Sequence, residues 1–368
     1  MTDTPIQTDF DSLEEMFKLV AAVDLSTTTR IKAFDRWKRK SGTRQDLLKL
    51  LAKQNKPELP AAPPVVVNPV VPALPGGRDP FRINYRTAIS FSGGRTSGFM
   101  LWLALQANGG RLPPDTVVCF ANTGKEREET LEFVRDCARH WGVEIVWLEY
   151  RADGDGFARV DFDTASRNGE PFAAIIDKRQ YLPNPVTRFC TVELKIRTMH
   201  KYLASLGWKD DDDGWDQMVG IRADEPGRVS KIRARPSTET VLETMILPLA
   251  DAGITKKEVA AFWNAQPFNL GLTTRDGTTP EGNCDLCFLK GPRKVMTLIR
   301  KEPQRAIWWA RQESQELSSS KDGALFRNDR ASYQQMHDYA VNQGEMFAGL
   351  YDLGDLPDEA SIECFCGD

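Results

Sequence analysis

Apolar positions along the chain fall into three regimes. Between Phe10 and about Gln54 they recur at helical spacing, as Leu13, Met16, Phe17 and Val20 and again as Leu47, Leu48, Leu50 and Leu51, which predicts helices. Residues 60–80 show no period; Pro60, Pro63, Pro64, Pro69, Pro72 and Pro75 with Gly76 and Gly77 predict an extended, semi-rigid linker. From Thr87 onward, short apolar runs alternate with helical periods. Residues 87–91 suit a buried strand, 99–105 an apolar helix, 116–120 a strand, 126–141 a helix and 143–148 a strand. That alternation predicts a parallel sheet with right-handed crossovers, with ligands beyond the carboxyl ends of its strands. Further on, residues 218–221 read as a short strand. Thr255 and Glu258 form a capping box that starts a helix through Val259, Phe262 and Trp263.

This pattern divides the chain into a helical N-terminal appendage (1–58), a Pro-rich linker (59–80), a nucleotide-binding α/β domain (81–255) and a mainly helical, cysteine-containing part (256–368). Hydrophobic residues at 41% and charged residues at 27% are the balance of a folded globular protein, which excludes wholesale disorder. A net charge of −4 removes any global signature of a nucleic-acid binder. A local basic stretch, from Arg30 through Lys32, Arg36, Lys38 and Arg39 to Lys40, reads as a solvated helix face or as a docking module for nucleic acid or a partner. The acidic run Asp210-Asp211-Asp212-Asp213 reads as a solvated loop. The first residues are polar and acidic, unlike a signal peptide, and no apolar run reaches bilayer length, so a cytoplasmic protein is expected.

The loop Ser92-Gly93-Gly94-Arg95-Thr96-Ser97, between a buried strand and an apolar helix, has the chemistry of a phosphate site. Its glycines bring backbone N–H groups against phosphate oxygens, its hydroxyls add donors, and the helix that follows points its positive end at the same place. It is neither a Walker A nor a dinucleotide motif. The 7 cysteines are odd in number and lack an export signal, so closely spaced ones read as metal-binding or redox-active rather than disulfide-bonded. Cys284-Asp285-Leu286-Cys287 is a C-x-x-C pair, Cys364-Phe365-Cys366 ends the chain, and Cys190 stands alone. Cys119 and Cys137 fall on apolar elements and read as core thiols. Trp308, Trp309 and Phe326 read as core or interface residues. His140, His200 and His337 show no ligand spacing and receive no role.

Four segments together resemble the phosphoadenosine phosphosulfate (PAPS) reductase family within the PP-loop ATP pyrophosphatase superfamily. Residues 92–97 look like the PP-loop. Residues 120–126, with Asn122 and Thr123, look like the second-strand motif. Residues 190–195 are similar to the Cys-x-x-x-Leu-Lys segment, and residues 220–225 to the Gly-x-Arg-x-x-Glu segment. The resemblance spans about residues 86–291 and leaves the N-terminal region unmatched. It implies a Rossmann-like, adenine nucleotide alpha hydrolase-like fold that binds ATP with Mg2+, or PAPS or its relative adenylyl sulfate (APS). Ser92, Gly93, Gly94, Arg95, Thr96, Ser97, Asn122 and Thr123 would hold the nucleotide, and Lys195 and Arg222 would counter phosphate or sulfate charge. Cys190, Cys284 and Cys287 match positions that carry an iron–sulfur cluster of the 4Fe–4S type in some relatives; the fourth donor would come from elsewhere, with Cys366 or Cys364 as candidate, and zinc is the alternative metal. Glu363-Cys364-Phe365-Cys366-Gly367 partly matches the terminal nucleophile motif of sulfonucleotide reductases, which uses a thiol reductant.

Two departures keep the reaction open. Thr96 stands where the commonest PP-loop has Asp, and the terminal motif lacks its His. The implied activities are sulfonucleotide reduction or ATP-dependent sulfur transfer. A second reading is adenylation of a nucleic-acid acceptor for thiolation, and a third is a nucleotide-sensing scaffold without catalysis.

Overall fold

The computed structural model describes residues 79–209, 213–234, 240–274, 279–320 and 323–342. The N-terminal appendage, almost all of the linker, Asp210 to Asp212, Cys364 and Cys366 lie outside the described residues.

Six strands form one sheet in the order β4-β3-β2-β1-β5-β6. They are β1 (Thr87–Ser90), β2 (Thr116–Asn122), β3 (Val146–Tyr150), β4 (Phe157–Val160), β5 (Trp215–Val219) and β6 (Glu243–Ile246). All neighbours pair in parallel except β3 with β4, which is antiparallel. β1 lies between β2 and β5, with Ser90 opposite Cys119 on one side and Val219 on the other. The chain thus leaves β1 toward one half of the sheet and returns to the other, which opens a crevice at the carboxyl ends of these three strands.

The expected alternation of strand and helix is present. Helix α1 (Arg95–Ala107) follows β1 and α2 (Glu128–Trp141) follows β2. α2 carries Glu128 and Glu129 in its first turn, Arg139 and His140 in its last, and ends on left-handed Gly142, each a favourable helix-end feature. α1 is buried from Arg95 to Leu105, because it is packed between the sheet and α6 (Lys256–Asn264). Phe99 stacks on Phe262 at 4.4 Å, and each such buried ring contributes about 1.5–3 kcal/mol. The capping box of Thr255 and Glu258 that starts α6 is formed as expected.

Three differences from the sequence pattern have local causes. β3 runs later than expected, because its end contains Glu149, a carboxylate that reads as surface but is fully buried among four donors. The four-residue strands β4 and β6 are too short for their alternation to register. Between α3 (Glu170–Arg179) and α4 (Thr198–Ser205) the chain makes a short α-turn, Phe189–Thr191, and then a π-helical stretch, Val192–Arg197. Such π-turns recur at functional sites.

α5 (Pro226–Ala234) precedes β6; the described residues beyond α6 are mainly helical, with α7 (Pro292–Lys301), α8 (Ala306–Glu313) and α9 (Tyr333–Asn342). A second core joins these last helices to α3 and the π-helical region, with Phe172, Ile176, Phe288, Trp309, Phe326 and Tyr333 at its centre. Trp309 and Phe326 are core residues, as the sequence suggested. Among the described residues no helix is long and apolar enough to cross a membrane.

Candidate functional site

The loop after β1 is braced by its own side chains. Ser97 Oγ accepts from the Ser92 N–H at 3.1 Å, donates to Gly94 O at 3.0 Å and pairs with Ser92 Oγ at 2.9 Å. Gly93 has φ +78, and a Cβ there would sit 2.7 Å from Thr130 Cγ2 and 3.1 Å from Phe120 Cε2. Glycine is required on both counts. Gly94 is the N-cap of α1, and no side chain caps that end. Its first-turn N–H groups therefore have no partner on a preceding turn and face the crevice.

Arg95 is buried, donates from Nη1 to Thr274 Oγ1 at 2.8 Å and has no partner at Nε. Burial draws its pKa below the ordinary guanidinium value. Trp263 Nε1 donates to Arg95 O at 2.7 Å, so α6 holds the loop from behind. From the end of β5, Arg222 Nη1 donates to Thr96 Oγ1 at 3.1 Å, while Asp224 and Glu225 hold the rest of its guanidinium. Thr96, where the common PP-loop has Asp, is thus an acceptor for Arg222. Gly220 lets the two segments approach, since a Cβ there would lie 3.2 Å from Ser97 Cα.

The end of β2 contributes differently. Asn122 is fully buried; its amide donates to Glu149 Oε1 at 2.7 Å and Ser166 O at 2.9 Å, and its carbonyl accepts from the Gly124 N–H at 3.1 Å. It shapes the turn from below. Thr123 Oγ1 donates to Glu126 Oε2 at 2.8 Å and lies 3.4 Å from Cys284 Sγ. Glu126 Oε1 is buried without a hydrogen-bond partner.

The contact between Thr123 and Cys284 joins the C-x-x-C loop to the end of β2. A small cleft is lined by Gly93, Gly94 and Thr130 on one side and by Leu270, Thr279, Gly282 and Asn283 on the other. Cys284 follows directly. Asn283 takes a left-handed φ of 59°. The Lys290 ammonium donates to the carbonyls of Cys284 and Asp285, both at 2.8 Å, and Tyr333 Oη donates to Leu286 O at 2.5 Å.

Residues 86–267 match the phosphoadenosine phosphosulfate reductase domain. An uncharacterized nin region protein of Escherichia phage lambda is 30% identical over 217 residues, which cover 56% of this chain and 67% of that protein. An uncharacterized protein of Methanocaldococcus jannaschii is 30% identical over 169 residues, 46% of this chain but only 29% of its own length.

The chain belongs to the phosphoadenosine phosphosulfate reductase family.

Within that family fold, the β1 loop, the turn after β2 and Arg222 after β5 meet at one end of the sheet. Lys195 lies partly buried in the π-helical stretch, which packs on β2 and β3. Cys190 and Cys287 are partly buried against the same apolar cluster that contains Cys284. Among the described residues no group of three or more His, Cys, Asp or Glu is gathered to hold a metal ion, so the described thiols do not by themselves make the donor set expected for iron–sulfur or zinc. Cys119 and Cys137 are buried core thiols; burial pushes Cys119 up to about 12 and raises Cys137 well above its ordinary value. Two of the three histidines pack structurally: His200 pairs with buried Glu243 at 2.9 Å, and His140 stacks on Phe268 at 4.3 Å.

Sequence reasoning passed over Lys125, Glu126, Glu149, Asp285 and Trp263. Lys125 and Glu126 stood inside the second-strand motif, and Asp285 stood between the paired cysteines. Glu149 had no signal beyond its place at a strand end.

Proposed function

We propose that this family member is an adenine-nucleotide-dependent enzyme of sulfur chemistry. The nucleotide's phosphates or sulfate would lie on the loop of Ser92, Gly93, Gly94, Arg95, Thr96 and Ser97, with Arg222 and Lys195 as counter-charges. The observation that carries this reading is the glycine loop at the start of α1, to which Arg222 is brought from beyond the end of β5. The fit to an anion rests on two features: the uncapped start of α1, and the buried Arg95 guanidinium with its unpartnered Nε.

With a sulfonucleotide, a thiolate would attack the sulfur. The new S–S bond forms as the S–O bond to the phosphate breaks, and the nucleotide leaves with the electron pair. An external thiol would then attack the enzyme cysteine's sulfur, giving a disulfide and releasing sulfite. Cys364 or Cys366 is the proposed nucleophile. With ATP and Mg2+, the same glycine loop would hold a triphosphate while an acceptor is adenylated and pyrophosphate leaves. The basic stretch from Arg30 to Lys40 favours a nucleic acid as that acceptor. No step here runs through iron or zinc. Metal analysis of anaerobically purified protein tests whether Cys190, Cys284 and Cys287 bind one together with Cys364 or Cys366.

The test is calorimetric titration with ATP–Mg, with APS and with PAPS. Tight binding of either sulfonucleotide supports reduction, and preference for ATP–Mg supports adenylation followed by sulfur transfer. Binding of none overturns the reading and favours a scaffold.

A further inference from the structure

The C-x-x-C loop and the second-strand motif meet through three direct contacts. The Asp285 N–H donates to Lys125 O at 2.8 Å, Thr123 Oγ1 meets Cys284 Sγ at 3.4 Å, and Lys125 Nζ lies 3.3 Å from Asp285 Oδ2. The ion pair is buried, its two side chains being 7% and 3% exposed. Asp285 is held from every side. Its Oδ1 accepts from the Leu286 N–H at 2.7 Å and from Trp309 Nε1 at 2.9 Å, and Arg305 Nη1 lies 3.5 Å from Oδ2. Lys125 lies 4.9 Å from the ring centroid of Trp308, which itself packs against Gly169. The Gly169 N–H donates to Gly124 O at 2.8 Å.

A buried ion pair is a weak source of net stability, since desolvating both charges offsets most of their attraction. Its value is geometric, because each charge has one low-energy position and that position is set by the other. Here the fixed position of Asp285 sets the backbone between two cysteines, and the fixed position of Lys125 sets the turn that carries Thr123. Coupling between sites is carried by chains of packed side chains and ion pairs of this kind.

We propose that Lys125 and Asp285 are positioning residues that couple the nucleotide-facing turn after β2 to the thiols of Cys284 and Cys287. Resting on the proposed function above, the inference adds that an occupied nucleotide site and the thiol loop bias each other. Coupling between two sites is reciprocal, so a nucleotide that shifts the turn alters thiol access, and modification of the thiols alters nucleotide affinity.

The experiment is timed iodoacetamide labelling of the full chain, read by peptide mass spectrometry at Cys284 and Cys287, with and without saturating ATP–Mg, APS or PAPS. The buried Cys119 and Cys137 serve as unreactive internal controls. In the wild type, the ligand that binds should change the labelling rate of Cys284 or Cys287 severalfold. Asp285→Asn alone leaves the buried Lys125 charge without its counter-charge, and Lys125→Met alone leaves Asp285 with only the partly exposed Arg305, so the decisive variant carries both changes, which removes both charges of the pair together. It should fold cooperatively and bind nucleotide with affinity near wild type, yet lose the nucleotide-dependent change in labelling. Lys125→Arg, which keeps the charge, should retain most of it. An unchanged nucleotide effect in the double variant overturns the proposal, as does a wild type that binds nucleotide with no change in labelling. A wild type that binds none of the three nucleotides overturns both this inference and the function on which it rests, and calorimetry separates that result from the other two.

Discussion

Substituting Gly93 by Ala tests whether the loop after β1 is as closely packed as the geometry requires. Two costs add. A non-glycine residue in the left-handed region costs roughly 1–2 kcal/mol. The new Cβ would also lie 2.7 Å from Thr130 Cγ2, 3.1 Å from Phe120 Cε2 and 3.3 Å from Val134 Cγ2, and overpacking of that kind costs about 1–3 kcal/mol. Gly109→Ala separates the two terms. Gly109 has φ +73, close to the value at Gly93, but a Cβ there would meet nothing within 4 Å. The expected losses are about 2–5 kcal/mol for Gly93→Ala and about 1–2 kcal/mol for Gly109→Ala. At about 2–4 °C per kcal/mol for a domain of this size, the first should lower Tm clearly more than the second. Denaturant unfolding gives the two free energies, and calorimetric titration of the folded variants gives nucleotide affinity. Gly93→Ala should weaken nucleotide binding at least tenfold, and Gly109→Ala should leave it unchanged. Equal destabilisation by both substitutions would refute the packing argument. Wild-type affinity in folded Gly93→Ala would refute the placement of the nucleotide.

Three further outcomes follow from the same structure. Arg222→Lys keeps a charge but loses the fork that spans Thr96, Asp224 and Glu225, so nucleotide affinity should fall about tenfold or more, near 1.4 kcal/mol; an unchanged titration would reassign Arg222 to surface ion pairing. Burial raises the Glu313 carboxyl above its ordinary range, although the Tyr333 and Phe326 N–H groups donate to it. Its contribution to stability is therefore full below the unfolded pKa of about 4.3 and is lost as pH rises through the raised folded value. Glu313→Gln should flatten that part of the stability profile, at the cost of one of the two accepted hydrogen bonds; a urea-unfolding profile that keeps the wild-type slope across the acid range would refute the assignment. Removing residues 1–75 should weaken binding of an oligonucleotide and reduce its salt dependence while sparing the nucleotide titration; unchanged oligonucleotide affinity would separate the basic stretch from the acceptor.

Local chemistry made the central half of this fold legible. β1, the glycine loop and α1 form one continuous signal of apolar strand, turn residues and apolar helix, all within about twenty residues. The same holds for β2 with α2, and for the capping box that opens α6. The four quoted segments were sufficient to place the chain in its family, because each depends on residues adjacent in sequence. Arg222 was legible only as part of the Gly-x-Arg-x-x-Glu segment; its contacts with Thr96, Asp224 and Glu225 came from the structure.

What lay beyond the sequence was every contact whose partners are far apart in the chain. Nothing near Asn122 announces that its amide would be consumed by Glu149 and Ser166, and nothing near Glu149 announces that it would be buried. The Lys125–Asp285 pair, the Trp263 hydrogen bond to Arg95 and the meeting of Thr96 with Arg222 exist only once the sheet order brings distant segments to one end. Sequence by itself determined the elements and the chemistry each carries, because turn residues and apolar periodicity act over a few residues. Tertiary structure alone decided which of those chemistries face one another, because a buried charge or an orphaned polar group is satisfied by whatever partner the topology supplies.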